Sequence, residues 1–115
     1  MAKCEHDRVR STCSICKPEQ VFRQYDRKAV ERNLSFSVTL EEFERLTQAP
    51  CFYCGENDEP RGLDRRDNRI GYNLRNCVSA CSECNFMKRA MLEYRFLNRV
   101  MKIAKHQESQ KKKAA

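Results

Sequence analysis

The residues of this chain best suited to chemistry are its eight cysteines, six of which form pairs with two residues between them. Cysteines paired in this way are typical thiolate ligands for zinc. The pairs Cys51/Cys54 and Cys81/Cys84 are separated by 26 residues, a spacing that predicts a closed tetrahedral site of four thiolates. Because four thiolates leave zinc no open position, this site is expected to be structural rather than catalytic.

A second group of metal-ligating residues lies near the start of the chain, with Cys4, His6, Cys13 and Cys16 as a candidate Cys3His zinc knuckle. Cys13 and Cys16 form its well-spaced pair. His6 is the weaker member, because it lies only two residues from Cys4. An exposed surface histidine is the alternative. Cys77 remains, and its apolar neighbours predict a buried strand thiol.

Composition and charge limit what the chain can bind. With 115 residues, 34% of them charged, and a mean hydropathy of -0.85, the apolar core needs a further stabilising element such as zinc. Lys and Arg outnumber Asp and Glu by 23 to 16, which favours a polyanionic partner over a merely solvated basic surface and a lysine tail at 111–113. No apolar run could serve as a signal peptide or membrane span. The sequence therefore predicts an intracellular protein, cytoplasmic or nuclear in a host, that is not secreted and has no membrane partner.

Two helices are predicted between Cys16 and Cys51. Apolar residues repeat at helical spacing from Glu19 to about Asn33. Thr39 and Glu42 form a capping-box pattern that begins a second helix, and Pro50 ends it. Gly55 follows the first pair of thiols of the four-thiolate site and suits the tight turn.

A hairpin and a long helix are predicted to carry the second half. Residues 62–67 and 72–79 have strand character around a turn, and a helix from Ser82 to about His106 is expected to bend near residues 91–92. Phe86, Met87 and Met91 are expected to be core. The domain plan is then a knuckle (1–18), a helical segment (19–50), a core (51–106) and a basic flexible tail (107–115).

Residues 51–105 resemble the HNH (ββα-metal) nuclease family. The resemblance rests on CFYCG, on GLDRRDNRIGYNLRNCVSACSECNFMK and on the preceding TLEEFERL helix. It is strongest to the branch that reads Asp-Arg instead of Asp-His, which includes PacI-type restriction endonucleases and viral and phage enzymes. The implied fold is small, α+β and zinc-stabilised, with a ββα-metal core, flanking helices and the N-terminal zinc knuckle.

The resemblance also implies site roles. Asp64 and Asn85 would hold a catalytic Mg²⁺ or Mn²⁺ through oxygen atoms, and Asn76 would orient the motif. Arg65 stands where most of the family has a general-base His. Because arginine keeps its proton, we expect Arg65 to orient or clamp phosphate, with solvent, substrate oxygen or Tyr72 activating water. The alternatives are a turn or salt-bridge role for Asp64 and a helix-start role for Asn85.

Six cationic residues near the hairpin are candidate phosphate contacts, although each could be a solvated surface charge. The predicted function is a metal-dependent DNA endonuclease, nicking or cutting both strands. The alternatives are a catalytically inert zinc module that binds nucleic acid and a zinc-stabilised protein-interaction module. The sequence leaves homodimer formation open. The candidate phosphate contacts are Arg61, Arg66, Arg69, Arg75, Lys88 and Arg89.

Overall fold

The computed structural model describes Cys13 and residues 16–57 and 61–114. These residues form helices around one two-stranded antiparallel sheet. A two-stranded hairpin alone is only marginally stable in water, so it depends on what packs against it. The elements are α1 (Pro18–Glu31), α2 (Leu40–Gln48), β1 (Gly62–Arg65), β2 (Cys77–Ala80), α3 (Ser82–Lys88) and α4 (Glu93–Ala114).

Helices α1 and α2 begin and end at the signals in the sequence. Pro18 lies in the first turn of α1, where its missing N–H leaves no bond unmade. Asn33, with φ of 58°, turns the chain just after that helix. The Thr39 hydroxyl accepts from the Glu42 amide while the Glu42 carboxylate accepts from the Thr39 amide, so the predicted capping box is confirmed.

The hairpin is shorter than the sequence predicted. Leu63 pairs with Ser79 and Asp64 with Val78. β1 ends at Arg65 and β2 begins at Cys77. Residues 66–76 form a compact loop instead, because side chains bind its backbone carbonyls. Tyr72, predicted to lie in the second strand, forms an isolated parallel bridge with Phe36.

One face of the hairpin packs on α1 and α2 through apolar and aromatic side chains. Phe43 is fully buried at its centre, and the ring of Tyr25 meets it edge-on with centroids 5.5 Å apart. Gly71 lies against residue 35, where a Cβ would come within 2.5 Å of a backbone oxygen, so only glycine fits. The buried cluster consists of Val21, Ala29, Val38, Phe43, Leu63, Tyr72 and Cys77.

The helix predicted from Ser82 to about His106, with a bend near residues 91–92, is instead two helices, α3 and α4, separated by a break at residues 89–92. Arg89 has φ of 49°, outside the helical region, and ends α3. Glu93 then begins α4, where its amide donates to the Arg66 carbonyl and its carboxylate pairs with the Arg66 guanidinium. Cys81, not Ser82, is the N-cap of α3.

Helix α4 extends away from the hairpin. Phe96 is buried, and residues 97–113 are all exposed. The helix continues through Ala114, where the sequence predicted a frayed tail from residue 107, because no Pro or Gly interrupts it and lysines favour the last turn. Phe86 and Met87 are 67% and 58% exposed, so the prediction that they belong to the core is wrong. Among the described residues, no helix has both the length and the apolar character to span a membrane.

Candidate metal centre and catalytic cleft

The four thiols of Cys51, Cys54, Cys81 and Cys84 converge at the start of α3. Their sulfur atoms all lie within 4.8 Å of one another, and none is in a disulfide. The Sγ atoms of Cys54 and Cys81 are 3.8 Å apart. A tetrahedron with zinc–sulfur bonds of about 2.3 Å has edges of about 3.8 Å. The donor set and its spacing therefore fit a structural zinc ion, and these residues form the zinc cluster.

Backbone geometry places these thiols. Gly55, with φ of 75°, reverses the chain after the first pair, as predicted for the turn, and its amide donates to the Cys51 carbonyl. The Phe52 amide donates to the Ser79 carbonyl, which ties this turn to β2. At the second pair, the Cys84 amide donates to the Cys81 Sγ over 3.4 Å. The zinc cluster thus joins the turn, the end of β2 and the first turn of α3.

Electrostatics in the zinc cluster act in opposite directions on the pKa of Cys51 and that of Cys84. Burial raises the pKa of Cys51, but the backbone amides of Cys81, Cys54 and Tyr53 outweigh it and lower that pKa to about 7. Burial raises the pKa of Cys84, and its contacts with the Cys81 and Cys54 thiols raise it further. Thiolates packed this closely repel one another without a cation. A divalent ion removes that repulsion.

The predicted second zinc site falls mostly outside the described residues. Cys4 and His6 lie there. Cys13 is fully buried and Cys16 half-buried, and the Lys17 amide donates to the Cys13 carbonyl. The Cys3His site therefore stays a prediction.

A cleft of about 580 Å³ lies beside the hairpin and contains both predicted oxygen ligands. Asp64 reaches it from β1 and Asn85 from α3. Successive side chains of a strand point to opposite faces of the sheet. Asp64, which pairs with Val78, therefore lies on the face toward α3, opposite the face of Leu63. The residues that line the cleft are Gln24, Tyr25, Lys28, Glu31, Arg32, Leu63, Asp64, Arg65, Asn68, Tyr72, Asn85, Arg89 and Ala90.

Asp64 is a buried carboxylate with protein donors already in place. Its Oδ2 accepts from the Tyr53 hydroxyl at 2.6 Å and lies 3.2 Å from Lys88 Nζ, which is 3.4 Å from Oδ1. The ammonium also donates to the Arg65 carbonyl at 2.8 Å. Burial and the hydrogen bond to Asp64 raise the pKa of Tyr53, so the phenol keeps its proton and donates a hydrogen bond to the carboxylate. Lys88 and Tyr53 therefore orient Asp64 and offset its charge.

Asn85 is placed by the zinc cluster. It follows Cys84 directly, and its backbone amide donates to the Cys81 carbonyl at 3.0 Å. Lys88 lies three residues further on, so both side chains are on the face of α3 that meets β1. Asn85 lines the cleft, and no described residue hydrogen-bonds to its side chain in the structure.

Arg65 has a structural task. Its Nη1 donates to the carbonyls of Asn68 and Ile70 at 2.7 and 2.9 Å, and its guanidinium lies 5.3 Å from the centre of the Tyr72 ring. These contacts fix the plane of a side chain that is only 8% exposed. Arg65 thus holds the loop through its hydrogen bonds, stacks on the Tyr72 ring and lines the cleft with its cation.

Asn76 gathers the same loop from the other side. Its Oδ1 accepts from the Asp67 amide, and its Nδ2 donates to the carbonyls of Asp67, Ile70 and Gly71. These bonds hold the loop together, and the orienting role that the resemblance implied for Asn76 stays a prediction. Asp67 caps the turn by accepting from the Arg69 amide and guanidinium, and these bonds lower its pKa to about 2.

The predicted phosphate contacts separate into three groups. Arg61 and Lys88 are buried, Arg61 donating to the carbonyls of Ala49 and Gln48, so burial removes both from the predicted phosphate-contacting set. Their positions follow from packing that the sequence did not reveal. Arg66 and Arg69 are exposed but paired with Glu93 and Asp67. Arg75 and Arg89 are exposed, and Arg89 lines the cleft, over the ring of Phe86.

Two residues of the site were not found by sequence reasoning. Tyr53 was passed over, and its only sequence signal was its position between two metal-binding cysteines. Lys88 was assigned to phosphate, although the three-residue spacing from Asn85 could have placed it on the same helix face. Cys77, in contrast, is buried as predicted, and burial raises its pKa to about 11.

Comparison with known proteins bears on the fold. The structure is similar to that of the rare-cutting HNH restriction endonuclease PacI, with a TM-score of 0.61 and 19% identity over 95% of this chain and 99% of that one. At this identity the likeness shows an HNH-like fold. The chain is also 39% identical over 87 residues to the uncharacterized protein R423 of Acanthamoeba polyphaga mimivirus, covering 74% of this chain but only 16% of that protein. No family profile matches the chain.

Proposed function

We propose that this chain is a metal-dependent endonuclease that hydrolyses DNA phosphodiester bonds at the cleft between β1 and α3. The observation that carries the proposal is the convergence of Asp64 and Asn85, from separate elements, on one cleft. Two oxygen donors beside open solvent suit a hard divalent cation such as Mg²⁺ or Mn²⁺. The HNH-like fold of the chain supports the same reading.

The donors around the cleft have distinct tasks in this proposal. Asp64 and Asn85 would hold the ion, which when bound would stabilise negative charge on a scissile phosphate. Lys88 and Tyr53 keep the Asp64 carboxylate in one orientation, and Asn76 maintains the loop. These contacts form before any substrate binds, so little reorganisation is needed.

Arg65 is proposed as an orienting cation and not as a base. Its guanidinium keeps its proton, and Nη1 is already bound to two carbonyls. The remaining N–H groups at the cleft can donate to a phosphate oxygen. The described residues that line the cleft include no histidine, so the attacking water would lose its proton to solvent, to a substrate oxygen or to Tyr72, which lines the cleft.

The test is nicking of supercoiled plasmid with Mg²⁺ or Mn²⁺ by the wild type and by Asn85→Ala. Loss of a proposed metal ligand should lower the rate by about 100-fold or more. Asn98→Ala, the same change on the exposed surface of α4, is the matched control and should cut normally. Asp64→Asn keeps the side-chain volume and should also abolish cleavage.

Equal rates for Asn85→Ala and the wild type would remove Asn85 from the site, and absence of nicking by the wild type with either ion would refute the proposal. Zinc content of each variant must match the wild type, since the zinc cluster positions Asn85. A Mn²⁺ titration followed by electron paramagnetic resonance adds a readout independent of cleavage. Asn85→Ala should weaken Mn²⁺ binding there.

A catalytically inert, zinc-stabilised nucleic-acid-binding module is the second candidate. The observation that favours it is the ammonium of Lys88, which already lies beside both oxygens of Asp64 and supplies positive charge there. A protein that binds DNA at low salt but neither nicks plasmid nor binds Mn²⁺ would establish this alternative.

A further inference from the structure

The cleft has a cationic wall that belongs to α1, a helix that precedes residues 51–105 and their sequence resemblance. Lys28 and Arg32 line the cleft together with Asp64 and Asn85. Both are exposed, four residues apart on the last turn of α1 and its end. Four residues along a helix place side chains on one face, so the two cations point the same way.

The opposite side of the cleft is also cationic. Arg89 lies at the break between α3 and α4, and Arg65 lies between the two walls. The anionic groups at the cleft are Asp64, which is paired with buried Lys88, and Glu31, on α1 between the two cations. The cleft is therefore positive on both sides of the candidate metal ligands.

Few of the predicted phosphate-contacting residues are both exposed and without a carboxylate partner. Burial removes Arg61 and Lys88, and ion pairs occupy Arg66 and Arg69. Among the described residues, no carboxylate pairs with Lys28 or Arg32 in the structure. Surface cations without a carboxylate partner are the ones available to exchange counterions for phosphates.

We propose that Lys28 and Arg32 of α1, facing Arg89 across the cleft, bind the backbone phosphates of duplex DNA next to the bond to be cut. The inference rests on the proposed function, because it names the residues that hold the substrate at that site. Phosphate contacts of this kind fix position without reading bases. The N-terminal helix is thus part of the substrate site and not only a support for the hairpin.

Helix α1 also offers a matched control. Arg23 and Arg27 are exposed, lie four residues apart on the same helix, and do not line the cleft. Arg23 pairs with Glu19. The double variants Lys28→Gln/Arg32→Gln and Arg23→Gln/Arg27→Gln each lose two positive charges, from different faces of α1.

The experiment is fluorescence anisotropy of the full zinc-loaded chain with a labelled duplex, without Mg²⁺ or Mn²⁺ so that cleavage does not interfere, across a series of salt concentrations. For Lys28→Gln/Arg32→Gln we expect roughly tenfold weaker binding per lost charged contact. The slope of log affinity against log salt should fall by about 1.8, since each phosphate contact on duplex DNA contributes about 0.9. The control pair should leave that slope unchanged.

Equal losses in the two double variants would overturn the inference by showing a general effect of net charge, and no loss in either would overturn it by showing that Lys28 and Arg32 do not contact the DNA. Wild-type binding through Lys28 and Arg32 with no plasmid nicking would support the inference while refuting the nuclease proposal. Normal nicking by the wild type with unchanged binding by Lys28→Gln/Arg32→Gln would support the nuclease proposal and refute the inference about Lys28 and Arg32. Circular dichroism and zinc content should match the wild type in both variants, as expected for exposed substitutions.

Discussion

The two faces of the β1–β2 hairpin are held to the rest of the chain by different interactions. On the face toward α1 and α2, apolar and aromatic side chains surround Phe43. On the face toward α3, the contacts are the zinc cluster and the buried pair of Asp64 and Lys88. The apolar face needs only burial, whereas the polar face needs specific partners. The sheet therefore places the aromatic core on one face and Asp64, a proposed metal ligand, on the other, while Arg65 lies opposite Cys77 on the apolar face.

Loss of zinc should have the largest effect, because it would release the polar face while leaving the apolar face intact. We expect Cys51→Ala to lose one equivalent of zinc and most of the stability of α3, since a structural zinc contributes on the order of 10 kcal/mol to such sites. Zinc content by native mass spectrometry and thermal melting by circular dichroism measure both.

The matched control is Cys77→Ala, which removes a buried thiol from β2 on the apolar face. It should keep all the zinc and lose little stability, as expected for a small side chain. The comparison between faces would fail if Cys51→Ala kept the wild-type zinc content, or if Cys77→Ala released zinc.

The Asp64–Lys88 pair should have the next largest effect. Lys88→Met leaves a buried carboxylate without its cation, which costs about 3–5 kcal/mol. Adding Asp64→Asn removes the stranded charge, so the double variant should recover much of the loss. Urea unfolding monitored by circular dichroism gives these free energies.

Lys102→Met, on the exposed part of α4, is the control for the change of residue type. If the free energy of unfolding of Lys102→Met falls as much as that of Lys88→Met, the buried pair does not stabilise the face toward α3. Zinc content should remain that of the wild type in every one of these variants.

The capping box of α2 should have the smallest effect, and only on the apolar face. Thr39→Ala removes the acceptor for the Glu42 amide and should cost about 1 kcal/mol. Thr39→Ser keeps an acceptor and should restore most of that stability. A change in zinc content or plasmid nicking in Thr39→Ala would show that the two faces are coupled.

Predictions from the sequence succeeded where a short stretch of chain decides the outcome. The capping box at Thr39 and the buried thiol of Cys77 follow from neighbours within a few residues. The bend predicted near residues 91–92 is a complete break at residues 89–92, because Arg89 takes a positive φ that no local pattern indicates. The contacts of Glu93 with Arg66, far away in sequence, accompany that break.

The sequence by itself determined which four thiols form the candidate zinc site and gave the chain its basic character, because ligand spacing and charge are properties of the chain order. Only the tertiary structure decided which cations are exposed. Lys88 and Arg61 look like surface residues in the sequence, yet both are buried. Burial depends on which elements pack together, and a long charged side chain is stable inside only where the fold supplies a partner.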